Sequence, residues 1–342
     1  MIRKIWRILA VTALMTMPAV TWMVWQPYPR SGPSFDQGRN GLWIGHRWYT
    51  GFEVGTGRPV ADSEFTELLM RVRRNHIRYL YVHAGPVRSD GSIRDRPGPL
   101  LYRLRAAAPE LTVLPWLGSR VTVSTFQEPT WRRRFIETVA ALRQRGLDGV
   151  HLDFEPLRDH HPGYVELLRE IRRQFGERFF ISHATRRAGP FGLAWGSLGK
   201  WCWSRSFYRA TMAVADQTVL MGYDTKLSIS KLYVGFMKHE TQLLLAWGLD
   251  FPHHRVLIGV PTYEDAPQTS DPRIENVSNA VLGVRAGLEQ AAGLESFEGL
   301  AIYSYWVTDD EEWRDFRADW LGLEAAGGRG EHGIPVGFGD DS

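Results

Sequence analysis

The stretch that decides the reading of this chain is Leu147-Asp148-Gly149-Val150-His151-Leu152-Asp153-Phe154-Glu155-Pro156. Val150, Leu152 and Phe154 alternate with His151, Asp153 and Glu155, the period of a strand, so the three polar residues share one face. Seven other short apolar or β-branched runs surround it: Gly41 to Gly45, Ile77 to His83, Thr112 to Leu117, Phe179 to Ala184, Thr218 to Tyr223, Val256 to Val260 and Leu300 to Tyr305. Helical patterns lie between them. Trp131, Phe135, Val139 and Leu142 form one apolar stripe, opened by Pro129 and closed by Gly146; Tyr164, Leu168, Ile171 and Phe175 form another, opened by Pro162. Eight strands alternating with helices over about 280 residues predict parallel strands covered by helices, an α/β architecture. The repeat number favours a single-domain, closed (β/α)8 TIM barrel; the alternative is a doubly wound open sheet.

Composition and the two ends narrow the function. Of 342 residues, 44% are hydrophobic, which excludes a disordered chain. Forty-one Lys and Arg against 38 Asp and Glu leave a net charge of only +3, too small for a phosphate-tracking surface, so no nucleic-acid partner is expected. A lone Cys202 excludes an internal disulfide and a cysteine-rich metal site. Arg3, Lys4 and Arg7 precede an apolar run from Ile8 to Trp25, the order of an export signal. Residues 1–25 are therefore expected to be a signal peptide or an uncleaved anchor, with residues 8–25 just long enough for a thin bilayer crossing. The protein is expected outside the cytoplasm, secreted or membrane-anchored. Residues 26–40 are expected to be a linker, 41–323 the barrel and 324–342 a disordered tail.

In a parallel barrel the reactive residues sit at the carboxyl ends of the strands. There, Asp153 and Glu155 would be pressed together in a partly dry site, where both cannot ionise cheaply; one proton is retained and a general acid becomes available near neutral pH. Paired acids also occur as solvated strand ends or as metal ligands. His160 with His161, and His253 with His254, lack a third ligand at fixed spacing, so no metal is expected. Glycine-rich phosphate loops and dinucleotide fingerprints are absent, and no cofactor is implied.

The 147–156 segment resembles the fourth strand of glycoside hydrolase family 18, the chitinases and endo-N-acetylglucosaminidases, which carries D-x-x-D-x-D-x-E. Asp148, Asp153 and Glu155 match its first, third and fourth positions, while His151 replaces the second aspartate. Leu111 to Ser119 looks like the third strand, with departures at Trp116 and Ser119. Met221-Gly222-Tyr223-Asp224 matches the sixth-strand M-x-Y-D, and Leu257 to Tyr263 looks like the seventh strand. Gly299 to Tyr305 looks like the eighth, with Tyr303 where the family usually has Trp.

The resemblance implies a retaining, substrate-assisted hydrolysis of β-linked N-acetylhexosamine polymers. Glu155 would be the general acid and base, Asp153 would orient the substrate's acetamido group, and Tyr223 would hydrogen-bond its oxygen. Asp224, Tyr303, His151, Trp116 and Trp306 would contact the sugar, with Asp148 and Met221 in support. His151 could be cationic, holding Asp153 ionised, or neutral and donating one hydrogen bond. Trp48, Tyr49 and Tyr263 are further aromatic positions at strand ends, for which core packing is an equal reading. Only Glu264 to Asn276 separates the seventh strand from its helix, too short for the α+β insertion of some chitinases, so an open cleft is expected. The alternatives are a non-catalytic glycan-binding protein on the same barrel, and a hydrolase of peptidoglycan or an exopolysaccharide.

Overall fold

The computed structural model describes residues 28, 34–147, 149–194, 196–262 and 271–323. The export segment, the tail from 324 onward, Asp148 and Tyr263 lie outside them. Eight parallel strands close into a barrel in sequence order: β1 Asn40–Ile44, β2 Ile77–His83, β3 Thr112–Arg120, β4 Gly149–Glu155, β5 Phe180–Thr185, β6 Gln217–Leu220, β7 Arg255–Pro261 and β8 Phe297–Tyr303. Closure is made by β8 pairing with β1, Gly41 opposite Ala301. The open-sheet alternative is thereby excluded. Each strand is followed by a helix: α1 Asp62–Arg74, α2 Pro99–Ala107, α3 Pro129–Gln144, α4 Tyr164–Phe175, α5 Arg205–Met212, α6 Ser230–Gly248, α7 Val277–Leu288 and α8 Asp310–Asp315.

Period-2 alternation sorts every strand into two cores. On β4, Val150, Leu152 and Phe154 face the helices and belong to the outer core, where the α3 stripe of Trp131, Phe135, Val139 and Leu142 is buried as its spacing predicts. Trp131 and Phe135 stack with ring centres 5.0 Å apart; truncating Phe135 to Ala would cost roughly 3–5 kcal/mol. The barrel interior is filled by Trp43, Tyr79, Tyr81, Leu114, Val219, Leu257 and Ala301. So wide a ring as Tyr81 is accommodated because β1 contributes Gly41: a Cβ there would sit 2.9 Å from the Tyr81 ring. Trp48 and Tyr49 are also fully buried, which places both in the core rather than in the cleft.

Among the strand ends that depart from the sequence expectation, two shape the site most directly. β3 continues beyond Leu117 to Arg120 because β4 stays paired with it from Trp116 opposite His151 to Arg120 opposite Glu155. β6 stops at Leu220; Met221 N–H still reaches Thr185 O at 2.9 Å. The chain then turns away through left-handed backbone at Asp224 (φ 56°) and Lys226 (φ 62°). That conformation is uncommon for residues with a side chain and is frequent where loops are shaped for function. Among the described residues no helix is long and apolar enough to cross a membrane.

Candidate active site

At the carboxyl ends of the strands a cleft of about 670 Å³ opens. Its base is formed by β4, whose alternation points Asp153 and Glu155 upward, with Tyr223 and Asp224 from the β6 turn and Tyr303 from the end of β8 as its walls. Asp153 is gripped from the side: the Trp116 indole N–H on β3 donates to its Oδ2 at 2.9 Å. Its Oδ1, equally buried, has no hydrogen-bond donor among the described residues. The Tyr223 and Tyr303 rings stack at 4.9 Å and 15°. Trp43 and Trp116 meet Tyr303 edge-on from beneath and beside.

Burial dominates the electrostatics. It pushes Asp153 up to about 7, reinforced by the charge of Glu155 and opposed by the Trp116 hydrogen bond. Glu155 is raised too, first by desolvation, with the Arg186 guanidinium pulling it down and Asp224 pushing it up. Arg186 Nη2 lies 3.8 Å from Glu155 Oε1, close enough to act through charge but too far for a hydrogen bond. Burial and mutual repulsion thus disfavour ionising both carboxyls together near neutral pH, the condition that lets one act as an acid beside an anion. Burial likewise raises Tyr223 well above the usual phenol range, so its hydroxyl stays protonated and can donate.

Several residues are placed differently from the sequence expectation. His151 does not line the cleft: it is fully buried in the barrel, stacked on Tyr81 at 4.1 Å. Its Nε2 accepts from the Trp43 indole at 3.2 Å and its Nδ1 meets Ser182 Oγ at 2.8 Å. Burial lowers its basicity strongly, so the ring is neutral, and the hydrogen bond it donates goes to Ser182, away from Asp153. The cationic possibility is removed. Trp116 is half-buried, and its indole N–H is committed to Asp153. Trp306 is 51% exposed and stands edge-on to Tyr303 at 5.8 Å, but it borders the neighbouring groove on the β1 side rather than the cleft floor. Met221 and Asp224 line the cleft, as does Tyr303.

Sequence reading missed Arg186, Arg187, Trp201 and Lys226, all of which border the cleft. Arg186 and Arg187 directly follow β5, so the strand-end rule that singled out Glu155 would have found them. Arg187 Nη2 donates to Asp224 O at 2.9 Å and thereby holds the β6 turn. Trp201 had no such signal, because it sits in the connection from β5 to α5. His161 and His254 are buried and hydrogen-bonded to Thr122 O and to Thr218 Oγ1. Among the described residues no three His, Cys, Asp or Glu side chains converge as metal ligands.

A closed parallel barrel with paired carboxyls at the carboxyl end of β4, walled by aromatic rings, defines a glycoside hydrolase. The chain belongs to glycosyl hydrolases family 18, whose sequence profile matches residues 73–315. Solved structures of similar fold include the spore cortex-lytic enzyme SleL of Bacillus megaterium, at 14% identity and TM-score 0.55, covering 85% of this chain and 75% of that one. The chitinase RmChi1 of Rhizomucor miehei matches at 12% identity and TM-score 0.56, covering 82% and 99%. A family 18 chitinase of Cycas revoluta, solved with (GlcNAc)3, matches at 14% identity and TM-score 0.55, covering 83% and 100%. Comparison with curated proteins finds no match.

Proposed function

We propose that this chain cleaves β-linked N-acetylhexosamine polymers with retention, using the substrate's own acetamido group as nucleophile. The observation that carries the reading is the division of labour at Asp153: Trp116 occupies Oδ2 while Oδ1 is buried with no donor among the described residues. An unmet buried carboxylate oxygen is costly, and an acetamido N–H is the donor that the proposed chemistry would bring to it. Glu155, half-exposed with 50% of its side chain accessible, protonates the glycosidic oxygen as the acetamido carbonyl oxygen attacks the anomeric carbon. Asp153 orients that group and stabilises the positive charge of the oxazolinium ion. Tyr223 donates its hydroxyl to the acetamido oxygen, and Asp224 helps hold the sugar ring. Glu155 then takes a proton from the incoming water.

Hydrolysis of N-acetylglucosamine oligomers by the wild-type chain, beside Glu155→Gln, tests this reading. A thiazoline that mimics the oxazolinium ion should inhibit. Insensitivity to the thiazoline combined with a trapped glycosyl-Asp153 would replace the acetamido nucleophile by the enzyme carboxylate. The basic-then-apolar order of residues 3–25 supports action outside the cytoplasm; fractionation of cells expressing a C-terminally tagged chain checks it.

A further inference from the structure

A second cavity of about 430 Å³ adjoins the cleft on the side of β3 and β5, and Arg186 and Trp201 border both. Its floor is apolar: Val121 and Val123 follow β3, and Pro156 follows Glu155. Its rim is cationic, with Arg158, Arg186 and Lys200 around the opening. Neither Arg158 nor Lys200 makes a side-chain ion pair among the described residues, and both are exposed. Arg186 is held by a hydrogen bond to Lys200 O and faces Glu155 only at 3.8 Å. His161, the other titratable group on the rim, is kept neutral by burial. Asp159, the carboxylate nearest in sequence, turns to the N–H and hydroxyl of Ser204, at 2.8 and 2.9 Å.

The opposite side of the cleft lacks this surplus. The groove bordered by Trp306 also contains Arg47 and Arg71, but Arg47 is bonded to Glu53 and Glu64, and Arg71 to Glu67 and Asp310. Cations neutralised in place offer little to an anion, whereas the two unneutralised ones, Arg158 and Lys200, standing with Arg186 around an apolar floor favour a group with a negative charge and some hydrocarbon. Trp201, 60% exposed at the seam, presents a flat face on which a sugar ring can lie.

We propose that this cavity is a subsite for a carboxylate-bearing sugar, so that the preferred polymer is an N-acetylhexosamine chain with acidic residues at intervals. The inference rests on the proposed hydrolase reading and adds its polymer class. The carboxylate would lie between Arg158, Arg186 and Lys200, with the ring against Trp201, one step along the chain from the bond that Glu155 cleaves.

Binding by the full chain carrying Glu155→Gln tests the subsite independently of turnover. The probes are an N-acetylglucosamine hexamer, a hexamer with 3-O-lactyl carboxylates on alternate residues, an alternating hexosamine–uronate hexamer, and the methyl ester of each acid. At least one acid should bind about ten-fold more tightly than its own ester at low salt, with the ratio shrinking as salt rises. Which acid shows the ratio separates a lactyl ether from a uronate. Adding Arg158→Ala and Lys200→Ala together should bring the ratio towards one. Acids and esters bound equally, or neither bound, overturns the subsite. Cleavage of the neutral hexamer without discrimination leaves the hydrolase reading standing alone; discrimination in binding with no cleavage of any probe by the wild type leaves only the subsite.

Discussion

The indole N–H of Trp43 donates to Nε2 of His151 across 3.2 Å, and this contact determines the state of the residue that replaces the second aspartate of the family motif. A nitrogen that accepts cannot carry a proton, so the imidazole proton is on Nδ1 and is given to Ser182 Oγ. Ser182 passes the direction on by donating to Gln217 Oε1 at 2.7 Å. His151 is thereby a neutral packing group beneath the carboxyl pair.

Restoring the aspartate should change the pH response more than the rate. In His151→Asp a buried carboxyl stands two residues before Asp153 on the same strand face. It raises the proton affinity of the pair, so both limbs of the kcat/KM profile move to higher pH by about half a unit to one unit, with substantial activity kept. Stability should fall by roughly 1–3 kcal/mol, since the stack on Tyr81 is lost and a carboxyl is buried. A pH–rate profile superimposable on that of the wild type would show that position 151 does not speak to the pair.

The wild-type profile follows from the same electrostatics. Asp153 is pushed up to about 7 by burial and by the charge of Glu155, so the pair keeps its last proton to about that pH. As pH rises further no acid remains, and kcat/KM should decline. In Asp153→Asn the neighbouring negative charge is gone, which lets Glu155 lose its proton more readily and moves the decline to lower pH. The optimum rate should drop by about 10²–10³-fold as the electrostatic support of the transition state is lost. A decline that stays in place or moves upward would refute the coupling.

Trp116 acts through Asp153. Trp116→Phe keeps a ring on β3 but removes the donor at 2.9 Å from Oδ2. A hydrogen bond to a charged group contributes about 1.5–3 kcal/mol, so kcat should fall about ten-fold or more with little change in KM. Because that hydrogen bond lowers the Asp153 proton affinity, its loss should also move the pair's titration upward. A rise in KM alone would make Trp116 a sugar contact instead.

Glu240 on α6 is a test of stability away from the cleft. It is 2% exposed, its Oε2 accepts the Ala188 N–H at 2.8 Å, and burial raises it to about 8 against the pull of that N–H and of Arg187. The folded chain retains a proton that the unfolded chain releases near its ordinary value. The stability linked to that proton is thus full at low pH and is lost as pH rises through about 8. Glu240→Gln keeps a carbonyl acceptor and cannot ionise, so its advantage over the wild type should be on the order of 4 kcal/mol larger at pH 9 than near pH 5. Thermal unfolding at the two pH values gives the comparison; equal Tm differences at both would remove ionisation as the cause.

What the sequence determined by itself was periodic or contiguous. Alternation along 149–155 put Asp153 and Glu155 on one face, the 131, 135, 139 and 142 spacing defined the buried side of α3, and the order of eight strands foretold the barrel. Such patterns are legible because a strand or helix repeats every few residues and each repeat must meet the same core. Which groups face one another across strands is set by the closed barrel. Trp116 reaches Asp153 from the neighbouring strand, Trp43 fixes the accepting nitrogen of His151 from another strand of the barrel, and Arg158 after β4 meets Arg186 and Lys200 of the β5–α5 connection. Those meetings depend on barrel closure and loop direction, which no local spacing encodes. Through Trp116 and Arg186 they also moderate the proton affinity of the carboxyl pair, which burial raises, and they place the charge around the cleft.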